Sequence, residues 1–170
     1  MEYDMIWVPI LKVVYSMFLG GLIGFERELA RKPAGLRTHM LVAGSASLLI
    51  VLGEIMINKY SGGPVADIIQ SDPIRIMEAI ITGISFLGAG TIIFRNQDET
   101  VEGLTTAASI LFASAIGIGV AIQQHILGGI LTLIAILVLL GIGHVERFID
   151  WVRPHIYGEK KTIRKIIQPP

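Results

Sequence analysis

The sequence predicts an all-α integral membrane protein, a bundle of about five transmembrane helices with the N-terminus outside and the C-terminus cytoplasmic. Three observations carry this. Of the 170 residues, 52% are hydrophobic and 16% charged, with a mean hydropathy of +0.67. That is more apolar surface than a soluble domain of this size can bury, so the surplus faces lipid. Five stretches approach the roughly 20 apolar residues that cross about 30 Å of hydrocarbon at about 1.5 Å per residue. The Lys and Arg residues, finally, are spread unevenly over the connections between those stretches.

The first stretch runs from about Met5 to Phe25. Its leading "MEYDMIW" is acidic where a signal peptide is basic, and no small-residue cleavage site follows, so the stretch is expected to stay as a span. The second runs from Leu36 to Ile57 and the third from Pro73 to Phe94. Asp72 before Pro73 reads as an N-cap and first-turn pair, because the carboxylate accepts orphan amide bonds and proline has no amide to satisfy. The connection "NKYSGGPVADIIQSD" reads as a loop with half a turn of interfacial helix. The fourth stretch, Gly103 to Ile122, and the fifth, Ile126 to Gly143, are joined by little more than "QQH" and must be antiparallel neighbours. Residues 1–152 are thus expected to form the transmembrane domain and 153–170 a basic cytoplasmic tail.

Orientation follows from the basic residues, since short basic loops are retained in the cytoplasm. Arg27, Arg31, Lys32 and Arg37 follow the first span, Arg95 the third, and Arg147, Arg153, Lys160, Lys161, Arg164 and Lys165 the last. Only Lys12, Lys59 and Arg75 fall toward the other side. Trp7 and Trp151 then lie near opposite interfaces, and the tail is expected to dock on anionic lipid.

Lipid gives helices no hydrophobic reason to associate, so close packing at small residues has to hold the bundle. Ser16, Gly20 and Gly24 form one such stripe; Thr105, Ser109, Ala113, Gly117 and Ala121 form another at spacing four. Gly83, Gly88 and Gly90 on the third span, and Thr106 on the fourth, are further packing candidates. These stripes pack the bundle itself, or form a homodimer seam or a groove for a partner's helix.

Two groups of polar residues are candidates for function. At the inner end, Glu26, Arg27 and Glu28 face Arg37, Thr38 and His39 across the tight turn forced by Pro33, Ala34 and Gly35. This knot is read as an anchor pinned by a Glu26–Arg37 pair, or as a site for a partner protein or an anionic headgroup. At the outer end, Lys12, Glu54, Asp72, Arg75 and Glu78 stand at similar depth and are read as ion pairs, among them Arg75–Glu78, or as an ion route. For a metal the sequence offers only Glu78 and Asp72, and magnesium usually keeps its water and takes one or two carboxylates.

Other chemistry is excluded or unsupported. No cysteine is present, which removes disulfides, thiolate metal sites and a cysteine nucleophile. His39, His125, His144 and His155 have no metal-ligand spacing. No serine has a base and orienting group beside it, and no glycine loop cradles phosphate, so a non-enzymatic protein is expected. No nucleic-acid partner is expected.

Three blocks, "GGLIGFERELARKPAGLRTHMLV", "DPIRIMEAIITGISFLGAGTII" and "VEGLTTAASILFASAIGIGVA", resemble in order and spacing the motif blocks of the MgtC/SapB family of bacterial inner-membrane proteins. The resemblance covers about Leu11 to Ile122. It implies a multi-pass protein of the bacterial inner membrane, linked to magnesium homeostasis, to acid or low-magnesium adaptation and, in pathogens, to virulence. It further implies a regulator of other membrane machinery, notably the F-type ATP synthase. The alternative is a small dimeric magnesium or proton transporter. Magnesium is the only cofactor it suggests. Many members carry a soluble domain after the last span, where this chain has "RPHIYGEKKTIRKIIQPP"; it also has Glu78–Ala79, Ser85 and Thr105 where other residues are common in the family.

Overall fold

The computed structural model describes residues 2–60, 72–95 and 100–157. Five helices follow one another: α1 (Glu2–Leu29), α2 (Leu36–Tyr60), α3 (Pro73–Ala89), α4 (Leu104–Ala121) and α5 (His125–Tyr157). A two-stranded antiparallel hairpin, β1 (Ile93–Arg95) and β2 (Thr100–Glu102), joins α3 to α4, with Phe94 opposite Val101. The all-α membrane class therefore holds. Among the described residues three stretches are long and apolar enough to cross a bilayer, Ile6–Leu29, Leu36–Lys59 and Leu104–Ala121, and His125–Gly141 is a shorter apolar helix. One compact unit takes in residues 1–136; residues 137–170 are a second, of which α5 is helical to Tyr157.

The side-chain distribution on α1 is the inverse of a soluble helix. Leu11, Val14, Phe18, Leu22 and Phe25 are exposed, at helical spacing, while Lys12, Ser16, Gly20, Glu26 and Arg27 are buried. Large apolar groups facing out and small or polar groups facing in is the arrangement lipid stabilises and water does not. The interior is built by α1, α2 and α4. Ala46, Ile50, Val51, Ile80, Ile118 and Ala121 form one apolar cluster and Ala34, Val42, Ala43, Ile110 and Ala113 another, with Ile84 of α3 against both.

Helix ends are set locally. The Asp72 carboxylate accepts the Ile74 amide at 2.9 Å and Pro73 occupies the first turn of α3, which is the cap read from the sequence. The far end of α3 departs from expectation. The helix stops at Ala89, short of Phe94, because Thr91 turns back on it: its amide and hydroxyl both donate to the Gly88 carbonyl, at 2.9 and 2.7 Å. After Thr91 and Ile92 the chain continues as strand from Ile93, for which β-branched residues are suited. Gly103 caps α4 with φ of 93°, and a Cβ there would run into the Thr91 carbonyl, so only glycine fits where the hairpin meets the helix. After the turn Ile122–Gln124, Gly128 at the start of α5 sits against Val120 and Leu19. The Tyr15 and His125 rings meet edge to face at 6.0 Å. The interfacial half turn expected within residues 61–71, and the tail beyond Tyr157, lie outside the described residues.

Candidate functional site

The α1–α2 turn brings together most of the inner charge knot, but not in the pairs expected. Glu26 and Arg27 are 9% and 4% exposed and bond to each other. The Arg27 Nε donates to Glu26 Oε2 at 2.6 Å and Nη2 to Oε1 at 2.9 Å, a two-pronged contact that satisfies both carboxylate oxygens. The Glu26–Arg37 pair is therefore corrected: Arg37 is exposed on the first turn of α2, and Glu26 has a better partner next to it. Glu28 has a different task. Its Oε2 accepts the Leu36 amide at 2.8 Å, capping α2 from the end of α1, and a Cβ on Gly35 would meet that same oxygen at 2.7 Å. A Glu28→Ala chain should lose about 1 kcal/mol, the usual cost of a lost cap, read as a lower unfolding temperature in detergent with no change in oligomeric state. Thr38 is partly buried on the first turn of α2.

Below the turn lies a contact that sequence reading passed over. His39 is fully buried between α1, α2 and α4. Its Nδ1 lies 2.9 Å from the Gly35 carbonyl, which can only accept, so Nδ1 carries the proton. Its Nε2 lies 3.0 Å from Ser109 Oγ on α4, and that hydroxyl is also 2.9 Å from the Thr106 carbonyl. One hydroxyl proton is thus shared between an imidazole nitrogen and a backbone oxygen. The ring has room because Gly24 is a glycine: a Cβ there would meet His39 Cβ at 2.9 Å and Gly35 O at 2.8 Å. The signal was available, since His39 sits one turn before Ala43 on the small-residue face of α2 and Ser109 lies in the α4 stripe.

Next to this contact, Arg31, Lys32 and Pro33 face Glu102, Gly103, Thr105 and Thr106 across a cavity of about 570 Å³. Thr105 is exposed into that region and is not a packing residue, whereas Thr106, Ser109 and Gly117 are buried. A Cβ on Gly88 would lie 3.5 Å from Ala107 and one on Gly90, the C-cap of α3, 3.3 Å from the Leu87 carbonyl, but among the described residues a Cβ on Gly83 would meet nothing within 4 Å. Gly83 therefore packs on none of the described residues.

The outer cluster separates into two. Lys12 Nζ and Glu54 Oε2 lie 3.4 Å apart, tying α1 to α2. They line a cavity of about 290 Å³ with Asn58, Ile76 and Gln123 among others. Asp72 and Arg75 stand apart from it, 3.9 Å from each other on α3, with the Arg75 side chain 83% exposed. The expected Arg75–Glu78 pairing gives way to Arg75–Asp72, because the cap fixes the Asp72 carboxylate one turn before Arg75. Glu78 is exposed on α3 and does not line the cavity. Among the described residues no three His, Asp or Glu side chains come together to hold a metal.

The geometry places the three sequence blocks on the α1–α2 turn, on α3 and on α4, the elements that make the two polar ends and the seam between them. A sequence profile, that of the MgtC family, matches residues 13–148, which is most of the chain and every one of these elements. The chain belongs to the MgtC family. Relatives in that family include the "Putative magnesium transporter YhiD" of Escherichia coli K12, 39% identical over 133 residues, 76% of this chain and 58% of that one. Protein SapB of Bacillus subtilis is 38% identical over 109 residues, 64% of this chain and 45% of its own length. Protein MgtC of Brucella abortus is 37% identical over 142 residues, 80% of this chain and 54% of its own. The chain spans about half the length of the curated relatives it matches. No solved structure matches it. For an MgtC-family member the polar residues that remain to be explained are thus those of the two ends, since the seam between them is accounted for by packing.

Proposed function

We propose that this MgtC-family protein is a multi-pass protein of the bacterial inner membrane that serves magnesium homeostasis as a non-enzymatic regulator of other membrane proteins, not as a conduit. The N-terminus and the Lys12–Glu54 end face outward and the α1–α2 turn faces the cytoplasm, as the basic residues Arg31, Lys32 and Arg37 require. One observation carries the reading. Between the two polar ends, Gly20 and Gly117 both press on the Ala43 region of α2, so that a Cβ on Gly20 would meet the His39 carbonyl at 2.5 Å and one on Gly117 would overlap the Ala43 carbonyl. A polar path does not pass such a seam, and the buried charges on either side of it are a neutralised pair and a tethered ammonium, neither of which invites a free cation. The exposed basic turn and the cavity behind it supply a surface for a partner, and the F-type ATP synthase is the partner the family resemblance puts first.

The transporter reading has its own support in the name of the Escherichia coli K12 relative, "Putative magnesium transporter YhiD". Reconstitution into liposomes with separate magnesium and pH indicators divides the two. The expected result is flux no greater than in protein-free liposomes, together with co-purification of a membrane complex that an Arg31→Ala/Lys32→Ala chain fails to retain. Magnesium flux that the native chain supports and a Glu54→Gln chain does not would overturn the regulator in favour of the transporter.

A further inference from the structure

The cavity of about 570 Å³ at the α1–α2 turn has the chemistry of an anion site. Arg31 and Lys32, just beyond the span Ile6–Leu29, line it together with Glu102, Gly103, Thr105 and Thr106, where the span Leu104–Ala121 begins. The amides of Leu104, Thr105 and Thr106 precede the first bond of α4, from Ala107 N to the Gly103 carbonyl at 2.9 Å, and Gly103 has no side chain to cap them. Such a helix end acts as about half a positive charge. With two cations beside it, it outweighs the carboxylate of Glu102, which is itself engaged in an interaction.

Thr106 shows that the wall is unfinished without a ligand. It is 2% exposed, yet its hydroxyl bonds to no described residue. Ser109, Ser114 and Thr132 turn their hydroxyls onto carbonyls three or four residues back, and Thr106 does not. The unbonded Ser47 oxygen is sealed in, whereas Thr106 lines the cavity. A buried donor without an acceptor, next to orphan amides and two cations, fits an anion with several oxygens. Arg31 points the same way. Its φ is 54°, and α1 closes around it with Arg31 N donating to Glu28 O at 3.0 Å and Lys32 N to Arg27 O at 2.9 Å. That pair of bonds ordinarily takes glycine at the left-handed position. Arginine there weakens the turn, so its side chain serves something other than the turn.

We propose that this cavity binds a phosphate group, held by Arg31 and Lys32, by the Thr106 hydroxyl and by the amides that open α4. The phosphate is that of an acidic lipid headgroup or free in solution. The inference goes beyond the reading of this turn as a partner's surface: a bound phosphate neutralises the two cations that a partner would meet.

Binding is measured on the full chain purified in a maltoside detergent, which contains no phosphate. One arm titrates inorganic phosphate and follows its phosphorus NMR line width. The other offers phosphatidylglycerol against phosphatidylcholine and weighs the retained lipid by native mass spectrometry. The native chain is expected to bind saturably in at least one arm; the first alone assigns free phosphate, the second alone the headgroup. In the arm that binds, Arg31→Gly and Thr106→Val should each be weaker by about tenfold or more, having lost a hydrogen bond to a charged group. Neither should unfold earlier than native, since glycine relieves the left-handed position and valine keeps the shape of threonine without its unbonded hydroxyl. A merely structural role does not lose binding while stability is kept. Arg31→Asn, which also tolerates the left-handed region, replaces the glycine chain if that does not fold. No phosphate binding together with no preference for the acidic lipid, or native affinity in either variant, would overturn the proposal. No partner is present in these measurements. Failure here leaves the partner reading standing, and failure of co-purification leaves this site standing.

Discussion

An Arg27→Ala chain should be less stable than the native protein by about 3–5 kcal/mol, the cost of removing one partner of a buried ion pair. The reason lies in what remains. Glu26 is 9% exposed, and both of its oxygens are bonded to the Arg27 guanidinium. Without that fork the carboxylate stays inside the end of the bundle with its charge uncompensated. Arg37→Ala removes an arginine of the same turn that is exposed, and should change stability by no more than about 0.5 kcal/mol. A Glu26→Gln/Arg27→Met chain should recover much of the loss, since replacing both partners leaves no orphan charge. Unfolding in mixed detergent, followed by circular dichroism, checks all three. If Arg27→Ala were as stable as native, or if Arg37→Ala did equal harm, the pairing described above would be wrong.

Much of this arrangement could be read from the sequence, and the parts that could not have physical reasons. The small-residue stripes were legible because spacing four on a helix places residues on one face whatever the helix packs against. Ser16, Gly20, Gly24, Ser109, Ala113, Gly117 and Ala121 are all buried. The Asp72 and Pro73 start of α3 was legible because capping chemistry is local. The Glu26–Arg27 pair was hidden for a geometric reason: neighbours in a helix point about 100° apart and are not ordinarily partners. Here the guanidinium curls back at the end of α1, where burial leaves both charges no better choice. The early end of α3 was hidden because "FLGAGTIIF" is equally apolar as helix or strand, and hydropathy does not report which hydrogen bonds close a helix. Gly83 looked like its neighbours in sequence, yet which face of α3 meets the bundle is a tertiary fact.

The two ends and the seam follow a single rule. In lipid, the interior of the bundle is where polar groups gather, so each buried polar group needs either a partner in place or a reason to lack one. Glu26 and Arg27 have partners, and His39 has two. Ser47 Oγ, on α2, is buried and without a partner among the described residues. The usual acceptor for a serine in a membrane helix is the carbonyl four residues earlier, and for Ser47 that is Ala43, whose carbonyl is covered by Gly117. Tight packing at the seam was thus retained over one hydrogen bond, which places a strong demand on Gly117.

A Gly117→Ala chain should accordingly suffer more than one methyl group suggests. The added Cβ would overlap the Ala43 carbonyl oxygen and approach its C and Cα at 2.9 and 3.1 Å. These are backbone atoms, so no rotamer change relieves them, and α2 and α4 have to part. Ala43 is also held close by Gly20, where its Cβ lies 2.7 Å from the position a Cβ would take, so α2 is tightly packed against α1 as well. Overpacking of this kind costs about 1–3 kcal/mol, against a gain in helix propensity of at most about 1 kcal/mol for alanine over glycine. Gly119→Ala is the matched control, two residues along α4 with nothing among the described residues within 4 Å of its Cβ position, and should be neutral or slightly stabilising. The same pair of chains tests the seal. With the helices forced apart, Gly117→Ala liposomes should leak protons faster than native or Gly119→Ala liposomes do. Equal tightness in all three would mean that something other than the Gly20–Ala43–Gly117 contact closes the bundle between its polar ends.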